Sequence, residues 1–160
     1  MTDAAVTLPP GAQLLGREWL GFDESGHVLI RFQAQPAFTN RHGTIQGGFL
    51  AAMLDSATGI CALAALPPDQ TAVTKSLDTR FLKPAGVGPI TARAHVVERT
   101  DRDMVVQADL VEAAGVTVAD ATAKLRIGLE AAGATNGKGI ATALPDERLL
   151  RRPGAKTSLP

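Results

Sequence analysis

The stretch from Gly47 to Leu66 (GGFLAAMLDSATGICALAAL) constrains this chain more than any other. It is an almost unbroken run of apolar and small residues, and it stops at Pro67-Pro68. A helix cannot run through that pair, because proline lacks an amide hydrogen and its ring collides with the preceding turn. The run is long and apolar enough to raise the question of a membrane span. Asp55 near its middle, with Ser56 and Thr58 beside it, argues against one. A central aspartate opposes insertion by about 2.5–3.5 kcal/mol, and the many Ala and Gly residues insert poorly. The segment is therefore expected to be a helix enclosed by protein. Being apolar on nearly every side, it cannot lie on a sheet with one face wet. Either a sheet curls around it or a partner covers it.

Alternation of apolar and polar residues supplies the sheet. Residues 19–22 read as a short first strand. In residues 27–34, Val28, Ile30 and Phe32 share one face and Arg31 and Gln33 the other, before Pro36 ends the pattern. Residues 37–46 are polar and turn-like. Residues 71–82 are expected to place Val73, Leu77 and Phe81 on one side. Residues 89–98 alternate Ile90, Ala92, Ala94 and Val96, and residues 103–112 alternate Met104, Val106, Ala108 and Leu110. Residues 116–127 turn Lys124 and Arg126 away from Leu125 and Ile127. The links at 100–102 and 113–115 are short enough for hairpins, so the strand at 103–112 pairs antiparallel with both of its sequence neighbours. One long helix followed by an antiparallel meander is an α+β plan. Residues 1–16 read as a loose leader and 17–129 as one domain. Residues 130–160, rich in Gly, Ala, Pro and charge without a period, read as a mobile or loosely docked tail with room for a short helix at 146–151.

Composition narrows the function classes. Sixteen basic residues balance sixteen acidic ones across 160 residues. A neutral chain offers no electrostatic footprint for nucleic acid and no basic stripe for a membrane surface. The single cysteine, Cys61, forms neither an internal disulfide nor a CxxC knuckle, and His27 and His95 lack metal-like partner spacing, so no metal is expected. The first ten residues contain no Lys or Arg and no long apolar core, so no secretory signal is expected and the expected location is cytoplasmic.

Asp55 carries most of the chemical information. It is the only residue with a fixed charge between Arg41 and Asp69. A carboxylate inside a buried helix is costly unless it is paired or used. Its helical neighbours Ala51, Ala52, Thr58 and Gly59 are small, which leaves room beside it for another chain or a ligand. The second feature is Gly43-Thr44-Ile45-Gln46-Gly47-Gly48 at the helix entrance. The glycines Gly47 and Gly48 allow close approach to first-turn amides, which have no intrahelical acceptor and favour negative charge. Such amides stabilise the oxyanion of a carbonyl under attack. Gly47 and Asp55 are eight residues apart, about 12 Å along a helix. One carbonyl cannot lie within about 3 Å of both. If both serve one reaction they come from different subunits, and two antiparallel helices about a two-fold axis supply two composite sites.

The run from Asn40 to Asp55 (NRHGTIQGGFLAAMLD), followed by Val73 to Ala85 (VTKSLDTRFLKPA), resembles the hotdog-fold thioesterases of the PaaI-like, phenylacetate-degradation-type group. Their pattern is an Asn, then G-t-x-H-G-G, then an acid eight residues past the first glycine of the pair, then a strand ending in f-l-x-P-A. The resemblance covers roughly residues 15–128. It implies a long central helix wrapped by a curved antiparallel sheet. It also implies hydrolysis of acyl-CoA thioesters at dimer interfaces, in a homodimer or dimer of dimers, with coenzyme A entering only as part of the substrate. By position, Asp55 resembles the catalytic acid, as base or nucleophile, and Gly47 the oxyanion amide. Asn40 resembles the residue that orients water or acyl group, and Thr74 the hydroxyl that supports them. Gly48, Thr58, Arg80 and Lys83 are candidates for substrate contact; Arg80, Lys83 and Arg126 are candidates for the phosphates of coenzyme A, although charged strand positions more often form a solvated face. Where the family has His before Gly-Gly, this chain has Gln46, which can donate a hydrogen bond but cannot titrate.

The expected activity is thus acyl-CoA hydrolysis. Two alternatives stand beside it: an acyl-CoA-binding protein that does not turn its ligand over, suggested by Gln46, and a 3-hydroxyacyl-thioester dehydratase, for which His42 is present without the surroundings of a dehydratase loop.

Overall fold

The computed structural model describes residues 8–131. Helix α1 (Pro10–Leu14) leads into strands β1 (Glu18–Phe22) and β2 (Val28–Ala34), a 3-10 turn (Pro36–Phe38), and the long helix α2 (Gly47–Ala64). Strands β3 (Gln70–Phe81), β4 (Gly88–Arg99), β5 (Asp103–Glu112) and β6 (Thr117–Leu129) follow. All six strands form one antiparallel sheet in the order β1-β2-β4-β5-β6-β3. The α+β hotdog plan expected from the sequence is the fold observed.

The two short links form hairpins as expected. Thr100 Oγ1 accepts from the amides of Arg102 and Asp103, and Gly115 turns at φ +84, a conformation that disfavours a side chain. The strands are not a simple meander, however. β3 pairs with β6 on the far side of the sheet, and β2 inserts beside β4. Strand alternation shows which face is buried, and neither of these pairings is local in sequence.

Buried residues of β2, β4, β5 and β6 meet α2 across one core that includes Ile30, Phe32, Ile90, Leu110 and Leu125. From α2, Leu50, Met53, Leu54, Ala57, Ile60, Cys61 and Ala62 are buried. A β-bulge between Thr74 and Ser76 changes the face on which β3 residues stand. Leu77 and Phe81 lie opposite the inward Ala123 and Ala119, while Val73 lies opposite the outward Arg126 and is 65 % exposed. The expectation that Val73, Leu77 and Phe81 share one side is corrected accordingly: a four-residue spacing keeps one face only in an uninterrupted strand.

The leader is also corrected over its described part. Residues 10–14 are helical, Ala12 and Leu15 are buried, and the Gln33 amide donates to Leu15 O at 2.9 Å. A β-carbon at Gly16 would lie 2.8 Å from Gln33 Cβ, so glycine is needed where this strap crosses β2. Five residues are too few for a helical period to show in the sequence. Residues 132–160, including the helix expected at 146–151, lie outside the described residues.

Candidate functional site

The loop before α2 is built from its own polar groups. Asn40 Nδ2 donates to Thr44 Oγ1 at 3.0 Å, and Asn40 Oδ1 accepts from the amides of His42 at 2.9 Å and Thr44 at 3.3 Å. This asparagine shapes the loop, as Asx turns do. A backbone bridge joins Thr39 to Ile45, and the Ile45 amide donates to Ala85 O at 2.8 Å. The Lys83-Pro84-Ala85 turn therefore braces the helix entrance, with Ala85 fully buried. Gln46 is the N-cap residue, in extended conformation, with no side-chain cap bond, and it is exposed. Its amide side chain is thus not committed to the helix. The Gly47 and Gly48 amides that follow have no carbonyl one turn earlier in the helix to accept from them.

Aromatic residues crowd this entrance. Phe38 and Phe49 stack at 4.2 Å with rings 10° apart. Phe81 lies over Gly47, where a β-carbon would sit 3.1 Å from Cζ and 3.2 Å from Cε1 of its ring. In the sequence Phe81 reads only as a strand-face residue. The signal was present as the glycine it covers and as the F-L-K-P-A run that brings it there.

Asp55 is exposed in the single chain, and this corrects the expectation of a buried carboxylate. The sheet covers one side of α2 and leaves a stripe of Gly48, Ala52 and Asp55 open, with Ala51 and Gly59 half-buried beside it. These positions recur at helical spacing and all but Asp55 are small. The helix is continuous from Gly47 to Ala64, so Asp55 and the Gly47 amide stay about 12 Å apart within one chain. On the flank of the stripe, Arg17 Nη1 donates to Ser56 Oγ at 3.2 Å. Burial lowers that guanidinium from its ordinary value. Arg17 belongs to no sequence motif, and its partner lies 39 residues away.

The other candidates separate. Thr58 is fully buried, and its hydroxyl faces Leu54 O at 2.9 Å and Asp55 O at 3.1 Å, so it supports the helix and does not line an open surface. Thr74 is half-buried opposite Leu125 on the inner face of β3. Arg80 stands on the outer face of the sheet, its guanidinium forked onto Asp120 at 2.8 and 2.6 Å. That pairing raises the pKa of Arg80 and turns its charge away from the helix entrance. Lys83 is exposed beside the bracing turn. Arg126 pairs with Asp103 at 3.0 Å. The structure thus gathers Asn40, Gln46, Gly47 and Gly48 at one end of α2, places Asp55 further along it, and sets Arg80 on the opposite face of the sheet. Among the described residues no group of three or more His, Cys, Asp or Glu side chains is placed to hold a metal.

The family model for the thioesterase superfamily matches residues 42–119. Among solved structures, the chain is similar to a candidate thioesterase of Ralstonia eutropha JMP134, a phenylacetic acid degradation-related protein. The identity is 33 %, over 77 % of this chain and 93 % of that one, with a TM-score of 0.72. It is 28 % identical to the PaaI protein of the E. coli phenylacetic acid degradation operon, over 74 % of this chain and 84 % of that one, at a TM-score of 0.65. A Bacillus halodurans protein solved with CoA is also 28 % identical, over 73 % of this chain and 74 % of that one, at a TM-score of 0.65. Among curated proteins, a candidate esterase of Saccharolobus solfataricus is 29 % identical over 92 residues, 58 % of this chain. The match spans 65 % of that protein, just under two thirds of its length.

Proposed function

Since the chain belongs to the thioesterase superfamily, in its PaaI-like hotdog group, we propose that it hydrolyses acyl-CoA thioesters at sites shared between two copies. The observation that carries this reading is the open stripe on α2. Asp55 and the Gly47 amide lie on one unbroken helix, too far apart to reach one carbonyl, and the surface between them is made of small residues that admit a second helix. β3 supplies the means of pairing. It is a sheet edge twelve residues long, with Val73 and Phe81 exposed along it. Such an edge is a template for another strand. Antiparallel pairing of two β3 edges about a two-fold axis lays the two α2 helices side by side and turns Asp55 of one copy toward the helix entrance of the other.

In the proposed reaction, Asp55 accepts a proton from water as the water oxygen bonds to the thioester carbonyl carbon. The carbonyl oxygen becomes an oxyanion, held by the Gly47 amide of the second copy and by the Gln46 side-chain amide. Collapse of the intermediate breaks the C–S bond. The departing thiolate takes the proton from Asp55, leaving free acid and the thiol of coenzyme A. Asn40 acts through the loop it shapes. The solved relative with CoA supports coenzyme A as the leaving group.

Mixing two impaired variants tests the shared site. Asp55→Asn and Gly47→Ala are expected to be impaired alone and to regain thiol release when co-refolded, because the mixed pair contains one site with both native groups. Failure to regain any activity sinks the shared site, and unimpaired single variants sink the assignment of both residues.

Gln46 favours one second reading. A non-titrating residue beside the oxyanion amides suits a protein that binds acyl-CoA without turning it over. Calorimetric binding of acyl-CoA with no thiol released over hours would select it.

A further inference from the structure

Away from α2's entrance, His27 and His95 stack across the junction of the β1–β2 turn and β4, with ring centroids 4.5 Å apart and planes 28° apart. The pair borders two openings. One is a groove of about 320 Å³ on the outer face of the sheet, where Gln107, Asp109, Asp120 and Thr122 also stand. The other is a recess of about 470 Å³ at the C-terminal end of α2, lined by Phe22, Cys61, Ala64 and Val96. The two rings therefore stand between the groove and the recess and line both.

The turn that carries His27 is held mainly by local bonds. The His27 amide donates to Asp23 Oδ1 at 2.8 Å, the Gly26 amide to Asp23 O at 2.9 Å, and the Asp23 amide to His27 O at 2.9 Å. The His27–His95 stack ties it to β4. Charged groups face the pair from each adjoining element. Asp23 Oδ2 lies 3.3 Å from His27 Nδ1 in the turn. On β4 and β5, Arg93 is forked onto Asp109 at 3.3 and 2.7 Å. Across the groove, Arg80 on β3 is forked onto Asp120 of β6, with Asp78 beside it.

A charge on His27 has Asp23 as its partner, and an imidazolium stacked on a neutral imidazole is a tolerable contact. A second charge, on His95, is opposed more than it is helped. Two imidazolium rings face to face at 4.5 Å repel, and Arg93 adds to the repulsion. Asp109, itself forked onto Arg93, and Asp23 attract that charge, but burial and the charge of His27 outweigh them. We propose that the His27–His95 stack is an acid-released latch, which holds the β1–β2 turn on β4 until both rings carry a proton and then frees the turn, one wall of the recess at the end of α2. Burial first, and the charge of His27 next, lower the pKa of His95, in the direction the latch requires. A histidine whose folded pKa is depressed adds stability that is present above the unfolded value and is lost as pH falls through the folded one.

Hydrogen exchange at the Gly26 and His27 amides reads the latch directly, after correction for intrinsic rates. In the full chain, protection is expected to fall at least about tenfold between about pH 7.5 and about pH 5.0. In His95→Phe, which keeps a ring in the stack but cannot take a proton, the fall is expected to be less than about threefold. Equal falls in the two proteins overturn the proposal. Imidazole resonances of the wild type give a readout that needs no variant: coupled titration with His95 displaced to lower pH is expected, and independent titration of the two rings overturns the latch. None of this depends on the proposed hydrolysis.

Discussion

The ring of Phe81 rests on Gly47 so closely that a β-carbon there would lie 3.1 Å from Cζ. A strand residue from the end of β3 thus covers the first helical residue of α2, and the absence of a side chain at position 47 is what admits it. The neighbouring atoms are the far end of a side chain that is 56 % exposed, so the ring can move aside. Gly47→Ala is expected to fold with stability within about 1 kcal/mol of wild type, since alanine suits a helix better than glycine. It is expected to lose about tenfold or more in thiol release, through displacement of the ring and crowding of the amide. Adding Phe81→Leu should recover part of that loss, with a coupling of about 0.5–3 kcal/mol in a double-mutant cycle. Strict additivity would show that the contact has no bearing on the site.

Asp55 is exposed in the single chain, so its replacement need not disturb the fold. Asp55→Asn and Asp55→Ala are expected to keep stability within about 0.5 kcal/mol in the unpaired chain. Release of thiol from acyl-CoA should fall by about 10²–10⁴-fold. Rates equal to wild type would remove Asp55 from the mechanism.

Val73 points outward from the edge strand and is 65 % exposed. Val73→Lys is expected to cost less than about 0.5 kcal/mol within one chain. Lysine on a sheet edge opposes strand addition, so size-exclusion with light scattering should show a shift toward single chains, and hydrolysis should fall with it. An unchanged mass would show that copies of this chain do not pair along β3.

Thr58 was a candidate for substrate contact, and the structure instead turns its hydroxyl onto the backbone of α2. Thr58→Val keeps the shape, and the two carbonyls it faces stay within the helix. Urea unfolding is expected to show a change of about 1 kcal/mol or less. The KM for acyl-CoA should stay within about twofold, because the side chain does not reach the surface. A large rise in KM would restore Thr58 to the site.

Cys61 is buried against the core, and burial pushes its thiol up to about 12. Thiolate is the reactive form, so alkylation near neutral pH is expected to be slower than that of an exposed cysteine by about a thousandfold. It should become fast on adding denaturant. Rapid labelling of the native protein would show that the end of α2 opens readily.

Much of this fold was legible without coordinates. A long apolar run ending at Pro67-Pro68 fixes a helix and its stop, because proline chemistry acts within one turn. Alternation marks β2, β4, β5 and β6, because strand period and burial are both local properties. The spacing of Gly47 and Asp55 survives folding, because helical rise is constant. What sequence could not settle depends on parts of the chain that are far apart when unfolded. The bulge at Thr74–Ser76 exposes Val73, β3 lies beside β6, Phe81 covers Gly47, and Arg80 is drawn to Asp120 on the outer face. The openness of Asp55 belongs to the same group: hydropathy shows that a helix needs cover, while only the wrap of the sheet decides which of its sides is left waiting for it.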